Sequence, residues 1–156
     1  MLRLSKKADY ALLALRYLAG ERAGVASTRT MSERFHIPSE LLAKVLQQLA
    51  RNGLVAADRG AHGGYHLARP ADAISIAEVV QTIDGPITLT ACSAVDVECG
   101  QYASCTVRDP LWRIRERILS VLRNMTVADM DEAARVSVPL TVRREEPGTG
   151  VPAPKQ

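Results

Sequence analysis

A pair of short helical patterns, followed at once by a glycine-rich loop, limits the folds that this sequence can adopt. The first pattern covers about residues 28–35, and Ile37-Pro38 ends it because proline cannot continue a helix. Ser39 is positioned to cap a second, amphipathic helix from Glu40 to about residue 52. Two helices joined by a short turn, the second with a regular apolar stripe, are typical of a helix-turn-helix.

Two strand-like runs, Leu54–Ala57 and Tyr65–Ala68, flank the glycine-rich loop, and Arg59 stands at its base. A strand pair directly after a helix-turn-helix is a wing. The alternative is a phosphate-binding loop, but neither glycine-rich ATP-site pattern is complete and no Lys-Ser/Thr pair follows. We therefore predict a mainly α fold with a small β-hairpin wing, in which residues 1–85 form a winged helix-turn-helix domain.

Two further helices complete this predicted domain. Ser5 is positioned as the N-cap of a helix that Gly20 ends, and Asp9 lies in its first turn, where the helix dipole favours an acidic residue. Ser75 and Glu78 are spaced as a capping box, which predicts a helix to about residue 84.

The charge of the chain is unevenly distributed. Residues 1–69 carry 11 Lys and Arg against 5 Asp and Glu, whereas residues 70–156 carry 9 against 12. A basic first half indicates a nucleic-acid-binding module joined to something else, although an ordinary solvated surface is the alternative.

The longest helical pattern lies in residues 109–136, together with a short terminal helix. Asp109 is positioned as its N-cap and Pro110 suits its first position. One apolar stripe follows it: Leu111, Ile114, Ile118, Val121, Leu122 and Met125. So small a protein has little to bury this stripe against, which favours a homodimer seam over packing on the winged domain. Residues 137–156 are rich in Pro, Gly and charge, and we expect a disordered tail.

The three cysteines of the chain, Cys92, Cys99 and Cys105, all lie in a predicted loop over residues 86–108. Their clustering is typical of thiolate ligands, which suit an iron–sulfur cluster, zinc or copper(I). Their spacing does not match the close pairs of zinc fingers, so an iron–sulfur cluster is favoured. Zinc and unligated redox thiols remain open alternatives. The loop offers Asp96 and Glu98 as oxygen donors for a fourth position, and Asp9 is another if a dimer brings it near.

These patterns together resemble the IscR/NsrR-type members of the Rrf family of winged-helix transcription regulators. The resemblance covers about residues 1–134. The stretches that carry it are Leu4-Ser5-Lys6-Lys7-Ala8-Asp9-Tyr10-Ala11-Leu12, Ile37-Pro38-Ser39-Glu40-Leu41-Leu42, Asn52-Gly53-Leu54-Val55, Arg59-Gly60-Ala61-His62-Gly63-Gly64-Tyr65-His66-Leu67-Ala68-Arg69-Pro70, Ile74-Ser75-Ile76-Ala77-Glu78-Val79-Val80 and the three cysteines. Residues 98–112 look most like regulators of the SUF cluster-assembly operon.

The resemblance implies a homodimer that binds palindromic double-stranded DNA and carries one iron–sulfur cluster per subunit on the three cysteines. Some members have a His just after the third cysteine, but Thr106, Val107 and Arg108 stand there in this sequence. Other members use an acidic residue of the partner's first helix, and Asp9 occupies that position. The first gap between cysteines is six residues, whereas some members have five, so the resemblance does not assign a two-iron or a four-iron cluster.

The predicted DNA contacts follow from the winged helix-turn-helix. The N-terminal end of the second helix of the pair enters the major groove, which selects Ser39, Glu40, Ala43 and Lys44. Arg59 or His62 on the wing reaches the minor groove or the phosphates, and Arg51 and Lys6 suit phosphate contacts. For each of these cations, an ordinary solvated side chain is the alternative.

The sequence also argues against other classes of protein. It shows neither paired carboxylates nor a nucleophile–base pair, so we expect a regulator rather than an enzyme. It has no apolar run long enough to span a bilayer and no signal peptide, so we expect a cytoplasmic protein without a membrane partner. The expected function is regulation of iron–sulfur assembly genes by sensing iron–sulfur status. The alternatives are a nitric-oxide- or redox-responsive repressor of stress genes, and a cluster-free thiol or small-molecule sensor.

Overall fold

Five α-helices and one β-hairpin make up the part of the chain that the structure describes, which is residues 4–20, 24–60, 63–89, 100 and 104–130. The structure is a computed structural model. Its elements are α1 (Lys6–Gly20), α2 (Thr28–Phe35), α3 (Ser39–Arg51), β1 (Val55–Asp58), β2 (Gly64–Leu67), a 3-10 turn (Ala71–Ala73), α4 (Ile76–Asp84) and α5 (Arg108–Asn124). The predicted mainly α fold with a hairpin wing is confirmed.

The core is aliphatic and lies between α1, α3 and α4. Each helix turns its apolar stripe inward, as the periodicity of the sequence predicts. The largest completely buried side chains include Leu15, Met31, Leu42, Leu46, Leu49, Leu54, Ile74, Val79 and Leu119. This packing holds α3 by one face and leaves its polar face open to solvent.

The hairpin pairs β1 with β2 in antiparallel register, with Val55 opposite Leu67 and Asp58 opposite Gly64. Both strands are shifted by one residue from the predicted runs. Ala26, just before α2, adds a third short edge by exchanging two backbone hydrogen bonds with Tyr65, of 2.9 and 2.8 Å. The wing is therefore anchored to the chain segment that leads into α2.

The caps of α1 and α4 are confirmed. The Ser5 hydroxyl accepts from the Ala8 N–H at 3.1 Å, and the Ser75 hydroxyl accepts from the Glu78 N–H at 3.2 Å. The Glu78 carboxylate does not complete the capping box in the expected way, because it pairs with Arg69.

The predicted caps of α3 and α5 are wrong. Helix α3 begins at Ser39 and is capped by Pro38, whose carbonyl accepts from the N–H groups of Leu41 and Leu42 at 3.0 Å. Helix α5 begins at Arg108, so Asp109 lies inside its first turn and pairs with Arg108.

Helix α5 has two different faces, and the single apolar stripe that we predicted combines them. Leu119 is buried and Leu122 is packed against the core, on the side that faces α4. Val107, Ile114 and Val121 are 58, 47 and 66 % exposed on another side. The end of α5 is tied to the winged domain, because the Ile76 N–H donates to Met125 and the Val127 N–H donates to Ile74.

Candidate nucleic-acid interface and cysteine segment

The turn between α2 and α3 is held by Ser32. Its carbonyl accepts from the N–H groups of His36 and Ile37, and its hydroxyl donates to the Ile37 carbonyl at 2.6 Å. His36 adopts a left-handed backbone conformation with φ of 53°, the geometry that usually ends a helix. These bonds fix the angle at which α3 leaves α2.

A groove of about 590 Å³ runs between the starts of α2 and α3. Its lining is Thr28, Arg29, Ser32, Glu33, Ser39, Glu40 and Ala43. Three of the predicted contact residues, Ser39, Glu40 and Ala43, are thus brought together, and Lys44, the residue after Ala43, is exposed. This surface combines hydroxyls, two carboxylates and cations, which are the groups that read base edges and phosphates.

The contribution of α2 to this groove is the part that sequence reasoning missed. Arg29 is 88 % exposed in the first turn of α2 and pairs with Glu33 at 2.8 Å. A cation in the first turn of a helix is unfavourable because it opposes the helix dipole. An arginine at this position in the sequence therefore indicates a role other than stabilising α2. Glu33 offsets that cost within the free protein.

The other predicted DNA contacts lie at separate places on the surface. Arg59 is exposed directly after β1, at the base of the wing loop, whereas His62 lies outside the described residues. Arg51 is exposed at the opposite end of α3 from Ser39, about 18 Å away for a helix of this length. Lys6 is exposed at the start of α1.

The hairpin supports Arg59 by a close-packed loop base. A Cβ on Gly63 would lie 2.5 Å from the Asp58 carbonyl oxygen, so only glycine fits there. Across the strands, His66 Nδ1 lies 3.0 Å from an Asp58 carboxylate oxygen. These contacts fix the end of β1 and therefore the position from which Arg59 projects.

Of the predicted cysteine ligands, the structure describes only Cys105. It is half-buried and stands three residues before α5 begins. Cys92 and Cys99 lie outside the described residues, as do Asp96 and Glu98. Within residues 4–20, 24–60, 63–89, 100 and 104–130, no three His, Cys, Asp or Glu side chains are grouped as metal ligands.

Asp9, the predicted fourth ligand, is exposed in the first turn of α1. Its N–H donates to the Ser5 carbonyl at 3.1 Å. Among the described residues, Asp9 belongs to no group of three or more possible metal ligands. The residue is open to solvent, and a side chain must be exposed if it is to act as a ligand in a partner subunit.

The sequence of residues 4–133 matches the model of a family described as Rrf2, iron-dependent transcriptional regulator. The chain belongs to the Rrf2 family. It is therefore a DNA-binding transcriptional regulator and not an enzyme, and the predicted winged-helix family is confirmed.

Similar proteins come from several bacteria. A Mycobacterium tuberculosis protein named as an HTH-type transcriptional regulator is 37% identical over 134 residues, which are 83% of this chain and 81% of that protein. CymR of B. subtilis, titled the global cysteine regulator, is 28% identical with a TM-score of 0.68, over 85% of this chain and 98% of that one. IscR of T. potens is 28% identical with a TM-score of 0.64, over 85% of this chain and 88% of that one.

Membrane association through a helix finds no support in the described part of the chain. None of the helices there is both long and apolar enough to cross a bilayer.

Proposed function

We propose that this regulator acts in the cytoplasm as a homodimer that binds palindromic double-stranded DNA and senses iron–sulfur status through Cys92, Cys99 and Cys105. Its targets are genes for iron–sulfur cluster assembly. The observation that carries the proposal is the combination, in one chain, of an open polar end of α3 with three cysteines in the segment just before α5. The division into a winged domain (1–85), a cysteine segment (86–108), a dimerisation region (109–136) and a tail (137–156) is part of the proposal.

The start of α3 supplies the base-reading groups. Its N–H groups and the positive end of its dipole favour the approach of a phosphate, which positions the helix in the major groove. The Glu40 carboxylate accepts from a cytosine amino group, Ser39 and Ala43 contact neighbouring base edges, and Lys44 reaches a phosphate.

The wing and the two remaining cations extend the contact. Arg59 projects from the base of the wing loop toward the minor groove, where a narrow groove concentrates negative potential. His62 belongs to the same loop. Lys6 and Arg51 neutralise phosphates, which adds affinity without adding sequence preference.

The open face of α5 supports the homodimer. Val107, Leu111, Ile114, Ile118 and Val121 follow one another at alternate spacings of four and three residues, the repeat of a helix-to-helix seam. Val107, Ile114 and Val121 are about half exposed or more, so at these three residues the face is open to solvent in the single chain. A second copy of the helix supplies it, and the two-fold symmetry of such a dimer suits a palindromic site.

The donor set of the cysteine segment fits an iron–sulfur cluster. Cys92, Cys99 and Cys105, which lie within 14 residues of one another, would hold the cluster as thiolate ligands, and the partner subunit's Asp9 would be a carboxylate ligand. Once bound, a cluster supplies an iron- and oxidation-sensitive link among these side chains. The work of the chain itself is to hold Cys105 half-buried at the start of α5 and to keep the Asp9 carboxylate exposed.

A second candidate function is a cluster-free regulator that responds through its thiols. The likeness to CymR, titled the global cysteine regulator, favours it. In that case Cys92, Cys99 and Cys105 act as redox-sensitive thiols without iron, and Asp9 serves only as a favourable charge at the start of α1.

The test is the visible absorption and the iron and sulfide content of protein purified without oxygen. The proposal expects bound iron and sulfide in the wild type, and their loss when any one of Cys92, Cys99 or Cys105 is changed to Ala, while circular dichroism stays that of the folded protein. Asp9→Ala is expected to alter the spectrum and speed the loss of iron. A colourless wild type, or two single cysteine variants with full absorption, would favour the thiol-based alternative.

A further inference from the structure

The last turn of α4 and the residues after it receive side chains from two other helices and from the residue just before α1. We name residues 82–87 the α4 junction. Gln48 of α3 donates its amide to the Thr82 carbonyl at 2.7 Å, Ser5 before α1 donates to the Asp84 carboxylate, and Arg115 of α5 donates to the Ile87 carbonyl at 2.8 Å. The junction is therefore hydrogen-bonded to α3, to α5 and to the residue just before α1.

The bond from Gln48 connects the junction to the helix that reads DNA. Thr82 is within the last four residues of α4, whose carbonyls have no partner inside the helix. The half-buried Gln48 side chain satisfies one of them. Gln48 lies nine residues after Ser39, about 14 Å along the axis, so a small tilt at Gln48 displaces the open end of α3.

The bond from Ser5 connects the junction to the start of α1. The Ser5 N–H donates to one Asp84 oxygen at 3.0 Å and the Ser5 hydroxyl donates to the other. The same hydroxyl caps α1, and the Ser5 carbonyl accepts from Asp9. The position of Asp9 is thereby tied to Asp84.

The bond from Arg115 connects the junction to α5 at the entrance to the cysteine segment. The Arg115 side chain is only 17 % exposed, and its guanidinium also contacts Glu116 at 2.6 Å and lies 5.0 Å from the centre of the Trp112 ring. It therefore holds the Ile87 carbonyl in a fixed place. Cys92 follows Ile87 by five positions, and Cys105 precedes α5 by three.

We propose that the α4 junction couples the cysteine segment to α3, and that Gln48 is the positioning residue of this coupling. A change in the path of the chain after Ile87 acts on the last turn of α4, and the Gln48 bond passes it to the DNA-reading end of α3. The inference rests on the proposed function. Gln48 acts through Thr82 and is distinct from the DNA-contact residues of that function.

The experiment compares the DNA affinity of two forms of each variant. A DNA fragment is selected from a random pool with the wild-type protein. Its dissociation constant is then measured for protein loaded with ferrous iron and sulfide without oxygen, and for protein treated with a chelator. The ratio of the two constants measures the coupling. Gln48→Leu removes the amide donor, and Gln47→Leu, at the exposed neighbouring glutamine, is the matched control.

We expect the ratio to move toward one by at least about threefold in Gln48→Leu and to stay within about twofold of the wild type in Gln47→Leu. The iron content and visible spectrum of Gln48→Leu should remain those of the wild type, because Gln48 is not a ligand. Amide hydrogen exchange in α3 of the chelated protein should rise in Gln48→Leu relative to Gln47→Leu. Should Gln48→Leu not fold, Gln48→Met, with a side chain of similar length, replaces it.

If the wild type and Gln48→Leu show the same ratio of dissociation constants, and that ratio differs from one, the coupling role of Gln48 is overturned and the proposed function stays intact. A wild type that binds iron but shows the same affinity in both forms would overturn the proposed sensing, and the coupling role with it. Loss of iron from Gln48→Leu would also contradict the inference, because it would place Gln48 in the binding of iron.

Discussion

At Gly64 two backbone segments approach so closely that any side chain would separate them. A Cβ built there lies 2.5 Å from the carbonyl oxygen of Ala26, whose two backbone bonds to Tyr65 anchor the wing. The glycine in this position thus follows from the third edge of the hairpin. The sequence shows the glycine but does not predict this contact, because a strand pairing that involves a single residue leaves no periodic pattern in the sequence.

Gly64→Ala is expected to lower the free energy of unfolding by about 1–3 kcal/mol, since the backbone must shift to admit the methyl group. Urea unfolding followed by circular dichroism measures the change. Gly20→Ala is the matched control, because in the described part of the chain nothing other than the chain neighbours and the backbone of α1 itself lies within 4 Å of a Cβ there, and its stability should be kept or slightly raised. Equal stability of the Gly64 variant and the wild type would contradict the close approach.

Arg59 is the wing residue whose role in DNA binding can be measured most simply. Arg59→Ala should weaken binding by roughly 1–3 kcal/mol if the side chain reads a base or a narrow groove, with a smaller loss and a salt slope lower by about one if it meets phosphate. Arg113→Ala, at an exposed arginine of α5, is the control. Fluorescence anisotropy at several salt concentrations checks both, and unchanged affinity at every concentration would remove Arg59 from the interface.

At the level of secondary-structure elements, the sequence predicted where the helices lie, but it predicted only some of their N-caps correctly. Ser5 and Ser75 were correct because a short side chain that bonds to an N–H three residues on is a purely local device. Ser39 failed as a cap because the Pro38 carbonyl takes that role one residue earlier. Asp109 failed because Arg108 beside it offers a stronger, charged partner, which also lowers the pKa of the Asp109 carboxyl.

The two faces of α5 could not be separated from sequence. Leu119 and Leu122 pack toward α4, whereas Val107, Ile114 and Val121 do not, yet all five are apolar residues at helical spacings. Which face is covered depends on the return of residues 125–128 to the 3-10 turn and α4, a contact between parts of the chain distant in sequence.

Ile114→Glu tests the open face of α5. A charge in an apolar seam is strongly unfavourable, so we expect the variant to sediment as a monomer at concentrations where the wild type is a dimer. Ser120→Glu introduces the same charge at an exposed position away from the seam and should leave the dimer intact. Analytical ultracentrifugation distinguishes the two. A dimeric Ile114→Glu protein would show that another surface forms the dimer.

At the scale of the whole molecule, the surface that we propose to read DNA lies at the start of α3, and the three cysteines lie in the stretch of sequence between α4 and α5. Helix α3 presents its start to solvent while its other face is packed on α1 and α4. The cysteine segment leaves from the end of α4 and returns at the start of α5. Membership of the Rrf2 family establishes regulation of transcription, and the three clustered thiols are the basis for proposing what it responds to.

The fold class and the family were accessible from sequence because the wing motif and the helix-turn-helix are contiguous in the chain. The ligand set was accessible only as a prediction. Asp9 and Cys105 do not form a ligand group within the described part of one chain, and Cys92 and Cys99 lie outside that part. A site that is shared between subunits cannot be assembled from the periodicity of one sequence.

Control of DNA affinity by the cysteine segment can be measured in one titration. Wild-type protein loaded with ferrous iron and sulfide without oxygen, and the same protein after chelation, are titrated against the selected DNA fragment at fixed salt. We expect dissociation constants that differ by at least about fivefold, the lower end of common coupling strengths, and no difference in Cys92→Ala. Equal constants for the two wild-type forms would contradict it.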